Sequence, residues 1–308
     1  MTASPALADL HWLLGSPSLL APAALPAGVA DGSAALGESW WRRLDPAAVA
    51  AAFEGSTATG PFRLGRHAES LLRAGLARLP GHALLASQLP VRDGGISLGE
   101  YDFLLRQPGE APLLHIELAV KFYVALPHAG GLHYVGPGLR DALDLKLARL
   151  FGHQLRLAGT PAGRAALPDP AAAVQPMAWL RGWMFYRDPA DVPWAGLAAD
   201  HLRGWWRRWG EAWPCSRPGG RWRALAKPDW LAPRRLEEAG ADLAAQQAEA
   251  ARQFAAAPQP MMVAEYAPPA EGGHELARGL VLPADWPQPG RLESLLDAVA
   301  ALPPARPA

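Results

Sequence analysis

Hydrophobic and polar positions along this chain repeat with two different periods, and the changes of period mark out its elements. Leu7, Leu10, Leu13 and Leu14 around Trp12 predict a short helix over 5–15. A Pro/Gly/Ala-rich connection follows over 16–45, with Trp40 and Trp41 as anchors. Asp45-Pro46 supplies an N-cap and a first-turn proline, so a helix is expected from there to about Phe53. Leu64, Ala68, Leu71, Leu72, Leu76 and Leu79 have helical spacing over 61–79, and Pro80-Gly81 stops that helix. The period then drops to two. Strands are predicted over 83–92, 96–106 and 113–125, the first two joined by the hairpin signal Asp93-Gly94-Gly95. Residues 126–138 read as a Gly/Pro/His loop, 139–158 as a second helix with Leu143, Leu147, Leu150 and Phe151 inward, 160–176 as a loop and 177–187 as a strand. Further on, a polar, Ala-rich helix is expected over 236–256, a strand pair over 261–266 and 274–282, and a short helix near 291–301.

The middle strands carry the chemistry. On 96–106, Ile96, Leu98, Glu100, Asp102, Leu104 and Arg106 share a face, because side chains alternate. On 113–125, Leu113, His115, Glu117, Ala119, Lys121 and Tyr123 share one face, and Leu114, Ile116, Leu118, Val120, Phe122 and Val124 form the other. That second face is wholly apolar and packs into a core. Charges on the first must then sit in a partnered network or a cleft, because an unpaired buried charge is expensive. Acids on one strand with a Glu and a Lys on the next make a metal and phosphate site.

Composition narrows the setting. Half of the 308 residues are hydrophobic, enough for a sizeable core. Net charge is zero, so any nucleic-acid binding needs a local patch rather than a global field. One cysteine, Cys215, excludes an internal disulfide and fits a reducing compartment. The first residues lack a basic segment and carry Asp9, so they read as a docked helix rather than a secretion signal. No apolar run reaches membrane-spanning length, and the expected address is the cytoplasm. Lysine occurs only at 121, 146 and 227. It is a compact, titratable point charge that arginine does not replace.

Other candidates flank the strands. Glu69 lies beside the apolar stripe of its helix; it reads either as a salt-bridge partner of Arg66 or Arg73 or as a carboxylate aimed at the strand site. Lys146 and Gln154 lie on the helix after the strands, as phosphate contacts or as surface polar residues. Residues 201–235 interleave eight Arg with Trp205, Trp206, Trp209, Trp213, Trp222 and Trp230. Most of these tryptophans read as core, which leaves Arg207, Arg208, Arg221 and Arg223 as phosphate candidates. The histidines show no zinc spacing, and there is no phosphate-cradling glycine loop.

The order helix with Glu69, strand with Asp102, strand with Glu117 and Lys121, then helix resembles the PD-(D/E)XK phosphodiesterase superfamily over about 61–187. More closely, DLHWLL, GEYDFLL, HIELAVKFY, DLKLARLFGHQL and HLRGWW resemble a bacterial family, domain of unknown function 1853, along most of the chain. The superfamily resemblance implies a restriction-endonuclease-like fold, with Asp102 and Glu117 as catalytic acids and metal ligands, Lys121 orienting the attacking water, and Glu69 at the first-helix acid position. It implies Mg²⁺ or Mn²⁺ held by carboxylates, to neutralise phosphate and activate water. One departure stands out. The motif separates its Glu and Lys by one residue, where this chain has Ala119. Lys121 lies roughly 13 Å along the strand from Glu117 at about 3.3 Å per residue. Either Lys121 reaches back, or Ala119 stands where the acid belongs. Glu100, on the Asp102 face, is a compensating carboxylate.

The expectation is therefore an α/β protein. It has an N-terminal helical segment (1–60), a restriction-endonuclease-like core of mixed sheet flanked by helices (61–190), and a helical Trp/Arg-rich extension with a short strand pair (191–308). The expected function is a metal-dependent nuclease acting on nucleic acid, with no membrane partner. Two alternatives accompany it. One is a catalytically inactive nuclease-like module that binds nucleic acid or protein, and the other is a structural buried ion pair between Glu117 and Lys121.

Overall fold

The structure, a computed structural model, describes residues 5–36, 40–45, 47–49, 51, 62–236 and 240–303. Strands β1 (Ala30–Asp31), β2 (Ala83–Asp93), β3 (Ile96–Arg106), β4 (Leu113–His128), β5 (Gly131–Val135), β6 (Val174–Tyr186), β7 (Leu202–Arg208), β8 (Arg221–Leu225), β9 (Met261–Tyr266) and β10 (Glu275–Leu282) form one mixed sheet. Its order is β2-β3-β4-β6-β7-β10-β9-β8, with β1 added beside β6 and β5 beside β4. Helices α1 (Pro5–Gly15), α2 (Gly32–Leu36), α3 (Leu64–Leu76), α4 (Leu143–Gly152), α5 (Pro161–Ala166), α6 (Leu243–Ala256) and α7 (Pro289–Ala300) flank it. The protein is thus α/β, a ten-stranded mixed sheet between helices. Of the helix expected from Asp45, residues 47–49 and 51 are helical, and Pro46, Ala50 and 52–61 lie outside the described residues.

Both faces of the central strands are covered. The apolar face of β4 (Leu114, Ile116, Leu118, Phe122, Val124) packs with Leu10 and Leu13 of α1 and Leu71 and Leu72 of α3. Its other face (Ala119, Tyr123, Ala125) packs with Leu143 and Leu150 of α4 and with Leu155. α4 is shorter than the expected helix: the backbone leaves α geometry at His153, and a 3₁₀ segment, Gln154–Gly159, follows.

Several expectations need correction: the connection over 16–45 contains β1 and α2, and the loop over 160–176 contains α5 and the start of β6. The loop over 126–138 contains β5, which returns along β4 in a hairpin whose turn residues Ala129 and Gly130 have φ of 49° and 79°. Positive φ at both central positions is the geometry of a type I′ turn, and an alanine there hides the usual Asn-Gly signal. The Trp/Arg block is also not helical. Trp205 and Trp206 lie on β7 and Trp222 on β8, inside the same sheet as the core. Neighbouring Trp205 and Trp206 enter different clusters, one with Trp213 and Trp222, the other with Trp286. A strand buried on both faces loses the alternation of apolar and polar residues that identifies a half-buried one. The sheet crosses position 190 without a break, because β6 and β7 pair in parallel from Trp183–Leu202 to Tyr186–Trp205. The expected strand pair over 261–266 and 274–282 is present as antiparallel β9 and β10.

Candidate functional site

The site lies where one side of β4 loses its strand neighbour. β6 accompanies β4 in parallel from Leu113 to Val124. On the opposite side, the β3 ladder covers 114–116 and ends at Phe103–Ile116, and the β5 ladder begins only at Val124–Val135. Asp102 and Glu117 are the next residues after the last β3–β4 pair. Their side chains continue the ladder that the backbones have left. The Leu118 N–H of β4 donates to Asp102 Oδ2 at 2.9 Å, and the Asp102 N–H of β3 donates to Glu117 Oε1 at 3.4 Å. Buried backbone donors need such partners.

Around this reciprocal pair the network is dense. His115 Nε2 lies 2.8 Å from Glu117 Oε1, and Gln154 Nε2 donates to Glu117 Oε2 at 2.7 Å. Lys146 Nζ donates to Gln154 Oε1 at 3.1 Å. Glu117 and His115 are wholly buried, and Asp102 nearly so. Burial first, and the Glu117 charge second, push the Asp102 carboxyl up to about 7. Burial also raises Glu117 to about 7, against the opposing pull of the Asp102 N–H and the Lys146 charge. Burial drives His115 down to about 4. The imidazole is therefore neutral, and its contact with Glu117 is a hydrogen bond from Nε2–H rather than an ion pair. Its Nδ1 is buried without a hydrogen-bond partner, beside the Tyr101 ring, which meets the imidazole edge-on at 4.6 Å. The Lys146 ammonium is pulled below the usual lysine range by burial and by the nearby Lys121 charge.

The structure brings most of the expected acids into one electrostatic neighbourhood. Glu69 on α3 acts on Asp102, and burial raises its own carboxyl; Glu100 acts on both Glu69 and Glu117. Gln88 of β2 donates to Glu69 Oε2 at 2.7 Å. Lys121 is placed differently. It ion-pairs with Asp141, which also accepts a hydrogen bond from Tyr123 Oη at 3.0 Å. The buried Glu117–Lys121 ion pair is thus not formed, and the cation coupled to both acids is Lys146. Three of the arginine candidates have intramolecular partners at their own sites. Arg207 donates to the carbonyls of Arg187 and Trp206 at 2.6 and 2.8 Å, Arg208 to that of Trp286, and Arg223 to Asp229 at 2.7 Å. Arg221 and Arg223 lie on β8, the far edge of the sheet. Five strand spacings of about 4.8 Å put them roughly 24 Å from β4.

A family model described as "Domain of unknown function (DUF1853)" matches residues 8–282. The chain belongs to that family. No curated protein and no solved structure matches it. In this DUF1853 chain, no helix among the described residues is long and apolar enough to cross a membrane.

The donor set suits one class of metal ion. Among the described residues, no group of three or more His, Cys, Asp or Glu side chains is placed to hold a metal ion. The site offers two buried carboxylates, Asp102 and Glu117, on which Glu69 and Glu100 act electrostatically. Magnesium keeps several waters and commonly takes one or two protein carboxylates plus phosphate oxygens, whereas structural zinc takes four nitrogen or sulfur ligands. A pair of carboxylates is a donor set of the first kind and not of the second. The sequence patterning missed two members of the site, Gln88 and Asp141. Each is a single polar residue whose role depends on a partner far along the chain.

Proposed function

We propose that this protein is a metal-dependent phosphodiesterase acting on nucleic acid, with a restriction-endonuclease-like arrangement of its β2–β6 core. The observation that carries this reading is the pair Asp102 and Glu117. They are two buried carboxylates at the end of a ladder, with the Lys146 ammonium coupled to both and, among the described residues, no arginine or lysine paired directly to either. A divalent cation bound there supplies charge neutralisation at the phosphate and a lower pKa for the attacking water.

Asp102 and Glu117 would hold that ion, with Glu69 and Glu100 adding negative charge. The chain's other residues prepare them. His115 and Gln154 donate to the two oxygens of Glu117 and fix its carboxylate plane. Partners behind a ligand in this way commonly tune affinity about 10–100-fold. Lys146, tethered through Gln154, offers its ammonium to a non-bridging phosphate oxygen and to the charge that develops on it in the transition state. Lys121, paired with Asp141, belongs to the wall of the site rather than to its centre.

The test is cleavage of a panel of single- and double-stranded DNA and RNA with Mg²⁺ or Mn²⁺. Turnover that requires the metal and disappears in Asp102→Asn supports the reading; turnover unchanged in that variant removes it. A second reading, a nuclease-like module that binds nucleic acid or protein without turnover, is favoured by one observation. Both Glu117 oxygens already accept hydrogen bonds, two of them on Oε1. It predicts binding that survives Asp102→Asn, with no cleavage of any substrate in the panel.

A further inference from the structure

Within its buried length β4 opens to solvent at one point. From Leu113 to Leu126 every residue of the strand is buried except Val120 and Lys121, which are half-buried. Both lie in the gap that follows the last β3 pair, Phe103–Ile116, and precedes the first β5 pair, Val124–Val135. Alternate N–H groups of a strand point to the same edge. The Leu118 N–H points into the gap, where Asp102 Oδ2 accepts it. The Val120 N–H points the same way, roughly 7 Å further along at about 3.3 Å per residue. The N–H groups of Ala119 and Lys121 point to the opposite edge, along which the β6 ladder runs. No strand pairs with Val120 on the gap side, and no loop carbonyl among the described residues accepts its N–H. Backbone N–H groups at the edge of a sheet make anion-binding concavities. Lys146, the cation coupled to both acids, fits the same sign of ligand.

We propose that the Val120 N–H is a substrate contact, which donates to a non-bridging oxygen of a phosphodiester held beside the Asp102–Glu117 pair. The proposal rests on the phosphodiesterase reading above and adds a backbone donor to it. A strand continued along β4 across the gap would consume this donor and cover the acids. The sheet fixes the N–H in place, so it needs no reorganisation when charge develops on the oxygen. Val120→Pro deletes the N–H and leaves the β6 ladder its own donors, because proline is tolerated where the missing N–H faces away from a ladder. Val120→Ala keeps the N–H and removes most of the side chain.

The experiment follows amide hydrogen exchange and ¹⁵N–¹H shifts of the wild type with Mg²⁺, then with added dimethyl phosphate or inorganic phosphate. Before either anion is added, Val120 should exchange faster than Ala119 and Lys121, which the β6 ladder protects. Dimethyl phosphate should shift the Val120 resonance saturably and slow its exchange about 10-fold, the scale of a hydrogen bond to a charged group. Val120→Pro should bind dimethyl phosphate about 10-fold more weakly and Val120→Ala as the wild type does; if Val120→Pro does not fold, the wild-type spectra decide alone. A Val120 amide as protected as its neighbours before anion is added overturns the proposal, because the donor is already taken. Dimethyl phosphate binding that leaves Val120 unmoved overturns it too, and a response to inorganic phosphate alone overturns the diester assignment. Shifts of the Asp102 and Glu117 amides on adding Mg²⁺ report the metal reading separately. Where they occur and Val120 stays unresponsive, that reading stands and the proposal falls; where they do not occur, both fall together.

Discussion

Replacing Asp102 by Asn tests whether the site holds carboxylates where the fold alone would not keep them charged. The Asp102 carboxyl rises from 3.8 to about 7, through burial first and the Glu117 charge second. Its pKa in the folded chain therefore lies above its unfolded value. Such a group supports the folded state fully only below the unfolded pKa, and that support is lost as pH rises through 7. At about 1.4 kcal/mol per tenfold change in proton affinity, keeping Asp102 ionised at pH 8 costs the fold on the order of 4 kcal/mol. Asparagine leaves an oxygen to accept from the Leu118 N–H and removes the charge. Urea unfolding in EDTA should show the stability advantage of Asp102→Asn over the wild type growing by about 2–3 kcal/mol between pH 5 and pH 8. At pH 8, Mn²⁺ should stabilise the wild type and leave the variant unmoved, because a ligand stabilises only the state that binds it. A difference between the two proteins that stays flat with pH, or a variant that loses stability relative to wild type as pH rises, would refute the reasoning.

Lys146→Ala should lower metal-dependent cleavage about 100-fold, the scale for one oxyanion-stabilising donor, whereas Lys121→Ala should lower Tm and leave kcat within about threefold; steady-state kinetics on both variants decide. Gly182 of β6 has φ of +155°, and a Cβ there would lie 1.8 Å from the Lys121 carbonyl oxygen of β4. Because that oxygen is backbone inside a parallel pair, Gly182→Ala should cost about 3 kcal/mol or more in chemical denaturation. The double variant Arg221→Gln, Arg223→Gln should bind a short duplex with the affinity and salt dependence of the wild type, since β8 is remote from the acids; a fluorescence anisotropy titration with a shallower salt slope for the variant would place β8 in the interface.

Much of the fold around the site follows from local pattern. β3 begins and ends at the expected residues, and the β2–β3 turn sits on Gly94 and Gly95, at φ of 53° and 88°, as Asp93-Gly94-Gly95 predicts. The two faces of β4 separate as its alternation requires, one into each core. What local pattern does not carry is long-range. β7 is hidden because both its faces are buried, and its parallel partner β10 lies more than sixty residues away. The end of the second long helix at His153 is equally hidden, although it sets Gln154 against Glu117. Lys121 shares a face with Glu117, as alternation demands, yet the acid that captures it, Asp141, comes from the segment just before α4. Period-two reasoning assigns a side chain to a face and says nothing about which of several charges on that face will pair.

The interrupted ladder also bears on why acids stand at the two positions at all. Between the β3 and β5 ladders, β4 presents backbone donors with no strand to meet them, and Asp102 meets one at Leu118. Glu117 performs the reciprocal service for the Asp102 N–H. That service needs an oxygen and not a charge. Asn at 102 and Gln at 117 would accept the same bonds, and they would avoid both the burial penalty and the repulsion that raise the two carboxyls to about 7. An ion-pair explanation needs a cation bonded to one of them. Lys121 is held by Asp141, and Lys146 reaches Glu117 only through the Gln154 amide. The acidity of the pair is thus surplus to the fold, placed on two carboxyls whose neighbours hold them still. On the proposed reading, a divalent cation would answer both features at once: it would remove the repulsion and use the arrangement for phosphate chemistry.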